Sequence, residues 1–90
     1  MKAAWYERKG PASAVLQLGE RPDPAPGPGE LLVRVRASGI NPSDWKARAG
    51  WLGRDKMPFP LVIPHQDGAG EVVAVGSPEL ESRIGERVWF

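Results

Sequence analysis

The chain has 90 residues, a formal net charge of +1, 41% hydrophobic and 26% charged residues, and no cysteine. That length holds one small domain or part of a larger one, and excludes a complete doubly wound dinucleotide domain, which needs several βαβ units of about 30 residues each. The near-neutral charge argues against nucleic acid as a partner, the missing thiols exclude a disulfide framework or a cysteine zinc site, and the short apolar runs give no reason to expect a membrane span or a secretory leader.

Ten prolines and eleven glycines cut the chain into short pieces, which favours strands and turns over long helices. Residues 1–7 alternate, with Met1, Ala3 and Trp5 on one side and Lys2, Ala4 and Tyr6 on the other, and read as a strand. Lys9-Gly10-Pro11 reads as a hairpin loop over 8–13, followed by a second strand over 14–18. Pro22, Pro24, Pro26 and Pro28 recur at every second position, so 21–29 is expected to be a stiff extended connection. Residues 30–38 form the clearest strand: Leu31, Val33, Val35 and Ala37 share one face, and Arg34, Arg36 and Ser38 share the other, solvated one.

Residues 41–50 carry the one well-marked helix. Asn41 stands at the N-cap, Pro42 at the first helical position, Asp44 near the positive end of the dipole and Gly50 at the stop. Residues 51–60 read as a loop and 61–63 as a short extended piece closed by Pro64. Residues 67–76 read as a strand buried on both faces, 77–84 as a polar turn, and 87–90 as the start of another strand. An end on Val88-Trp89-Phe90 suggests a fragment of a longer chain.

Few residues here suggest chemistry by themselves. Gly68-Ala69-Gly70 has the first two glycines of a dinucleotide turn but Val73 in place of the third, and it does not lie between a strand and a helix. Tight backbone packing is the expected use of these glycines. His65 is the sole histidine, which excludes a histidine pair and is expected to be a hydrogen-bonded loop residue. Asn41, Ser43, Asp44 and Lys46 cluster at a helix start, where an ordinary cap accounts for them.

Three segments in order change that reading. Ser38-Gly39-Ile40-Asn41-Pro42-Ser43-Asp44 is followed by Ile63-Pro64-His65-Gln66-Asp67-Gly68-Ala69-Gly70-Glu71-Val72-Val73-Ala74-Val75-Gly76, and then by Ile84-Gly85-Glu86-Arg87-Val88. Together they resemble the N-terminal part of a medium-chain dehydrogenase/reductase, most closely the zinc-independent quinone oxidoreductase (zeta-crystallin-like) group. The resemblance implies a mainly β, GroES-like, partly open barrel with one short helix near 42–49. Residues 1–90 would then be the N-terminal part of the catalytic domain, without the Rossmann cofactor domain.

The zinc-dependent members of that superfamily carry a cysteine, a relay hydroxyl, an aspartate and a histidine in the first segment. Asn41, Ser43, Asp44 and Lys46 stand at those positions here. In the second segment they carry glycine, a ligand histidine and glutamate, where this chain has His65, Gln66 and Asp67. With the thiolate and imidazole both replaced by carboxamides, the resemblance implies no zinc and no metal site. It implies hydride transfer from NADPH to quinones or related carbonyl and enone acceptors, with the cofactor bound mainly by a domain this chain lacks. Asn41, Ser43 and Gln66 are the expected catalytic donors, and Asn41 and Lys46 the expected cofactor contacts. Trp51 and Gln66 are expected in the substrate pocket, although Trp51 is equally open to a packing role. Asp44 and Asp67 support the site.

The 90-residue chain alone is expected to be inactive and to self-associate through exposed strand edges, and the full-length form to be a cytoplasmic homodimer acting on a small-molecule substrate. Two alternatives stand beside this reading: a GroES-like structural module of co-chaperonin type, and a standalone small-ligand binding domain.

Overall fold

The computed structural model describes residues 1–51 and 55–90. The expected loop over 51–60 lies partly outside these residues. The chain divides into two units, each built from two stretches of sequence: 1–22 with 40–65, and 23–39 with 66–90. Among the described residues the strands form one two-stranded and one three-stranded antiparallel sheet and no closed barrel, consistent with a mainly β, GroES-like fold. No helix among them is long and apolar enough to cross a membrane.

In the first unit β1 (Lys2–Trp5) pairs with β2 (Gln17–Glu20), in the register Lys2 with Glu20 through Trp5 with Gln17. The N-terminal ammonium closes this pair, donating to the Arg21 carbonyl at 2.8 Å and lying 3.4 Å from Glu20. The expected strand over 14–18 is corrected: Ala12–Val15 forms a one-turn helix, α1, and the strand starts at Gln17. Pro11 explains this. It sits at the N-cap with φ −68°, and its carbonyl accepts from Val15 N–H at 3.1 Å. The turn buries Val15, and no extended segment from Ala14 would make that bond. Tyr6, buried just after β1, pairs its backbone with Val62 through two 2.9 Å hydrogen bonds.

Helix α2 (Pro42–Ala49) follows its sequence signals closely. Asn41 caps it in extended backbone, Pro42 opens it, and Gly50 ends it at φ +79°, a left-handed conformation that glycine takes freely. The loop before α1 satisfies its C-terminal carbonyls. Lys9 Nζ donates to Ala47 O, Gly10 N–H donates to Arg48 O at 2.9 Å, and the Arg48 guanidinium donates back to Gly10 O at 2.8 Å. The expectation of one helix is thus extended by α1 and by a 3₁₀ helix over Pro78–Arg83.

The second unit holds β3 (Leu31–Gly39), β4 (Asp67–Val75) and β5 (Arg87–Trp89), with β4 in the centre. Val72 on β4 is its buried core residue. The single apolar face expected for β3 does not hold along its length, since Val35 is 52% exposed and Ala37 is exposed too. Register shifts between Leu32 and Val33 and between Val35 and Ala37 are the cause. Each bulge resets the alternation, so residues two apart no longer share a face. The central strand depends on two close approaches. A Cβ on Gly70 would lie 2.1 Å from the Arg34 carbonyl oxygen, and one on Gly76 would lie 1.7 Å from that of Gly27. This is the packing use of glycine expected for Gly68-Ala69-Gly70.

Candidate functional site

The start of α2 gathers three of the seven expected site residues, Asn41, Ser43 and Asp44. Asn41 is half-buried, and its backbone N–H donates to Asp44 Oδ2 at 2.7 Å, while Asp44 N–H donates to the Asn41 carbonyl at 3.0 Å. The Asp44 carboxylate is thereby committed to the N-cap and lies where the helix dipole favours negative charge. The pair fixes the backbone from which the Asn41 carboxamide projects. Ser43 is exposed on the first turn.

Lys46 is half-buried among aromatic rings. Its ammonium lies 4.5 Å from the centre of the Trp51 indole and 5.7 Å from that of Trp45, whose own ring centre is 6.1 Å from that of Trp51 at an interplanar angle of 35°. Both rings remain half-exposed. Trp51 thus neither packs into a core nor stands alone. Trp45 was not among the expected site residues. No spacing signal points to it, since residues one and six apart do not share a helix face, and the three side chains meet only past the stop at Gly50.

Beneath α2, Tyr6 was also missed, and no motif marks it. Burial pushes its phenol pKa up, a shift opposed by the positive charge of Arg48 and reinforced by the negative charge of Asp44. Lys9 lies 5.9 Å above its ring. Tyr6 is therefore a neutral phenol in the usual range of pH.

Gln66 and Asp67 belong to the second unit, at the start of β4, and both are exposed. Asp67 pairs with Gly39 in the β3–β4 register. His65 precedes them with φ +79°, the only left-handed backbone among the described non-glycine residues. A position of that geometry suits glycine, the residue it corresponds to in the zinc-dependent relatives considered above. Also in the second unit, an open cleft of about 450 Å³ is lined by Ser38, Gly39, Asp67, Gly68, Trp89 and Phe90, among others. Of the expected site residues only Asp67 lines it.

Gly68-Ala69-Gly70 is not arranged as a phosphate turn. Gly68-Ala69-Gly70 is part of β4, with Gly68 N–H already bonded to Phe90 O at 3.0 Å and Gly70 pressed against Arg34. The backbone N–H of Asn41 is taken by Asp44. No group of three or more His, Cys, Asp or Glu side chains among the described residues is arranged to hold a metal ion.

Residues 27–90 match the alcohol dehydrogenase GroES-like domain family. The synaptic vesicle membrane protein VAT-1 homolog of Homo sapiens is 44% identical over 75 residues, which is 81% of this chain and 19% of that protein. A chloroplastic quinone oxidoreductase of Triphysaria versicolor is 39% identical over 90 residues, 98% of this chain and 27% of that protein. Among solved structures, a mycobacterial protein complexed with NADPH superposes with a TM-score of 0.79 at 31% identity, over 99% of this chain and 25% of that one. The chain spans between a fifth and about a quarter of the length of these proteins.

Proposed function

The chain belongs to the alcohol dehydrogenase GroES-like domain family, and on that premise we propose that it is the N-terminal part of the catalytic domain of an NADPH-dependent oxidoreductase. In this reading the enzyme reduces quinones or related carbonyl and enone acceptors without zinc, and a Rossmann domain outside these residues holds the cofactor. NADPH, when bound, supplies the hydride. The observation that carries the reading is the start of α2. There a carboxamide, Asn41, sits on a backbone fixed by Asp44, at the position where zinc-dependent members of the superfamily carry a thiolate.

The roles of the chain's own residues follow from their chemistry. Reduction of a carbonyl or quinone places negative charge on the acceptor oxygen, and a positioned donor is worth about 3 kcal/mol of transition-state stabilisation. Asn41 and Gln66 offer amide N–H donors and Ser43 offers a hydroxyl, while Lys46 offers a charged donor on the side expected for the cofactor. One proton must reach the acceptor for each hydride, and in this reading the exposed Ser43 hydroxyl passes one from water. Neutral carboxamides are weak ligands for zinc, which supports a mechanism in which hydrogen bonds take the place of a Lewis acid.

The test uses the complete protein that carries this chain. NADPH oxidation is followed with a quinone acceptor and compared in the wild type and in Asn41→Ala and Gln66→Ala variants. Each substitution is expected to lower kcat by about two orders of magnitude, in line with loss of one donor. Unchanged turnover in both variants would remove the two carboxamides from the reaction and with them this mechanism.

A further inference from the structure

On the hydride-acceptor reading above, we infer that Trp45, Lys46 and Trp51 form a platform for a planar aromatic acceptor bearing negative charge, a quinone-class ring rather than an aliphatic enone or alcohol. All three residues lie within the first unit, around the C-terminal half of α2.

The first ground is where the helix places its apolar surface. Helix α2 has no fully buried residue, and the largest side chains around it are Trp45 and Trp51, 47% and 48% exposed. Two indoles of that size left open to water form an apolar surface, and their 6.1 Å spacing and 35° tilt show that they are held as a pair. The second ground is the cation. Lys46 covers one face of the Trp51 ring at 4.5 Å and reaches Trp45 at 5.7 Å. Among the described residues no carboxylate pairs with it, so its charge remains available to a ligand.

These features select one chemistry. Indole faces are electron-rich, quinone rings are electron-poor, and offset stacking between them needs only the area that Trp51 leaves open. A negatively charged substituent, or the oxyanion left by reduction, then lies next to the Lys46 ammonium. An aliphatic enone offers no ring face to stack. A negatively charged aliphatic ligand would use Lys46 and leave both indoles bare.

The experiment follows the indole N–H signals of the four tryptophans of the chain by NMR while naphthoquinone sulfonate is added. Trp45 and Trp51 are expected to shift saturably, while Trp5 and Trp89 stay in place and report that the fold is intact. Trp51→Leu is expected to weaken binding about tenfold. Lys46→Gln is expected to abolish the preference for the sulfonate over unsubstituted naphthoquinone, and cyclohexenone is expected to leave both signals still. Saturable shifts at Trp89 without shifts at Trp45 and Trp51 would overturn the platform and leave the acceptor reading standing, as would an affinity untouched by Trp51→Leu. Saturable binding of cyclohexenone with none of naphthoquinone sulfonate would overturn the aromatic preference. Absence of any response to either compound would overturn the platform, while the acceptor reading stands or falls on the turnover of the complete protein.

Discussion

Replacing Gly70 by alanine tests how the central strand is held. The added Cβ would lie 2.1 Å from the Arg34 carbonyl oxygen, 2.8 Å from its carbon and 2.9 Å from Val33 Cγ1. Two of these three atoms are backbone of the neighbouring strand, so no rotamer change relieves the clash, and β3 must move away by about 1 Å or more. A displacement of that size stretches the local ladder bonds beyond useful length, and two of them are worth about 2 kcal/mol together. Overpacking adds about 1–3 kcal/mol, and the lower entropy of alanine in the unfolded chain offsets somewhat less than 1 kcal/mol of the loss. A net loss of about 2–4 kcal/mol is expected, a large part of the 5–15 kcal/mol that a domain has. Gly29→Ala is the control, because Gly29 has a left-handed φ of +77° and nothing within 4 Å, so its cost is the conformational one alone, about 1 kcal/mol. Urea unfolding of the 90-residue chain, with the m-value held constant across variants, gives both numbers. A midpoint for Gly70→Ala no lower than that for Gly29→Ala would refute the close-approach argument.

Four further outcomes are expected. Burial raises the folded-state pKa of Tyr6, so its contribution to stability is fully present below the unfolded value near 10 and is lost as pH rises through the folded one; Tyr6→Phe should flatten the alkaline fall in the urea midpoint, and an identical fall in both proteins would contradict the assignment. At His65, where φ is +79°, glycine should be tolerated or stabilising, whereas valine should cost about 2 kcal/mol, measured by thermal unfolding. Asp44→Ala removes the 2.7 Å bond from Asn41 N–H and should cost about 1 kcal/mol, with loss of helical circular dichroism as a second readout. Calorimetric titration with zinc should show no stoichiometric binding, and a 1:1 isotherm at micromolar affinity would mean that the carboxamides at 41 and 66 are not the residues that decide metal binding.

Much of this structure was legible where its signals are local. The N-cap, the proline at the first helical position and the stop at Gly50 lie within ten residues, and α2 has the bounds they imply. The three strands of the second unit were readable as segments over 30–38, 67–76 and 87–90, but not which of them would pair. Other features depend on residues that meet only in space. The one-turn helix at Ala12–Val15 rests on the Pro11 carbonyl and on a buried Val15, and a run of small residues gives no periodicity to mark it. The exposure of Val35 follows from two bulges, which are a property of how β3 pairs with β4 and not of β3 itself. Of the candidate site, the residues at the helix start were legible because family motifs single them out. The involvement of Lys46 with two indoles was not, because it depends on where the side chains around the end of α2 come to lie.

The interleaving of the two units has a consequence for how the chain matures. The first unit joins residues 1–22 to 40–65 and the second joins 23–39 to 66–90, so neither is a contiguous stretch. During synthesis the β1–β2 hairpin forms early from neighbours in sequence, but the Tyr6–Val62 pairing that completes its unit waits until the ribosome has passed residue 62. β3 emerges without a partner strand, because β4 begins 28 positions after the last residue of β3. For that interval an apolar strand has unpaired edges, which makes it the segment most exposed to capture by another chain or by a chaperone. Any cut meant to isolate one unit divides the other, so limited proteolysis should release no stable half of the molecule.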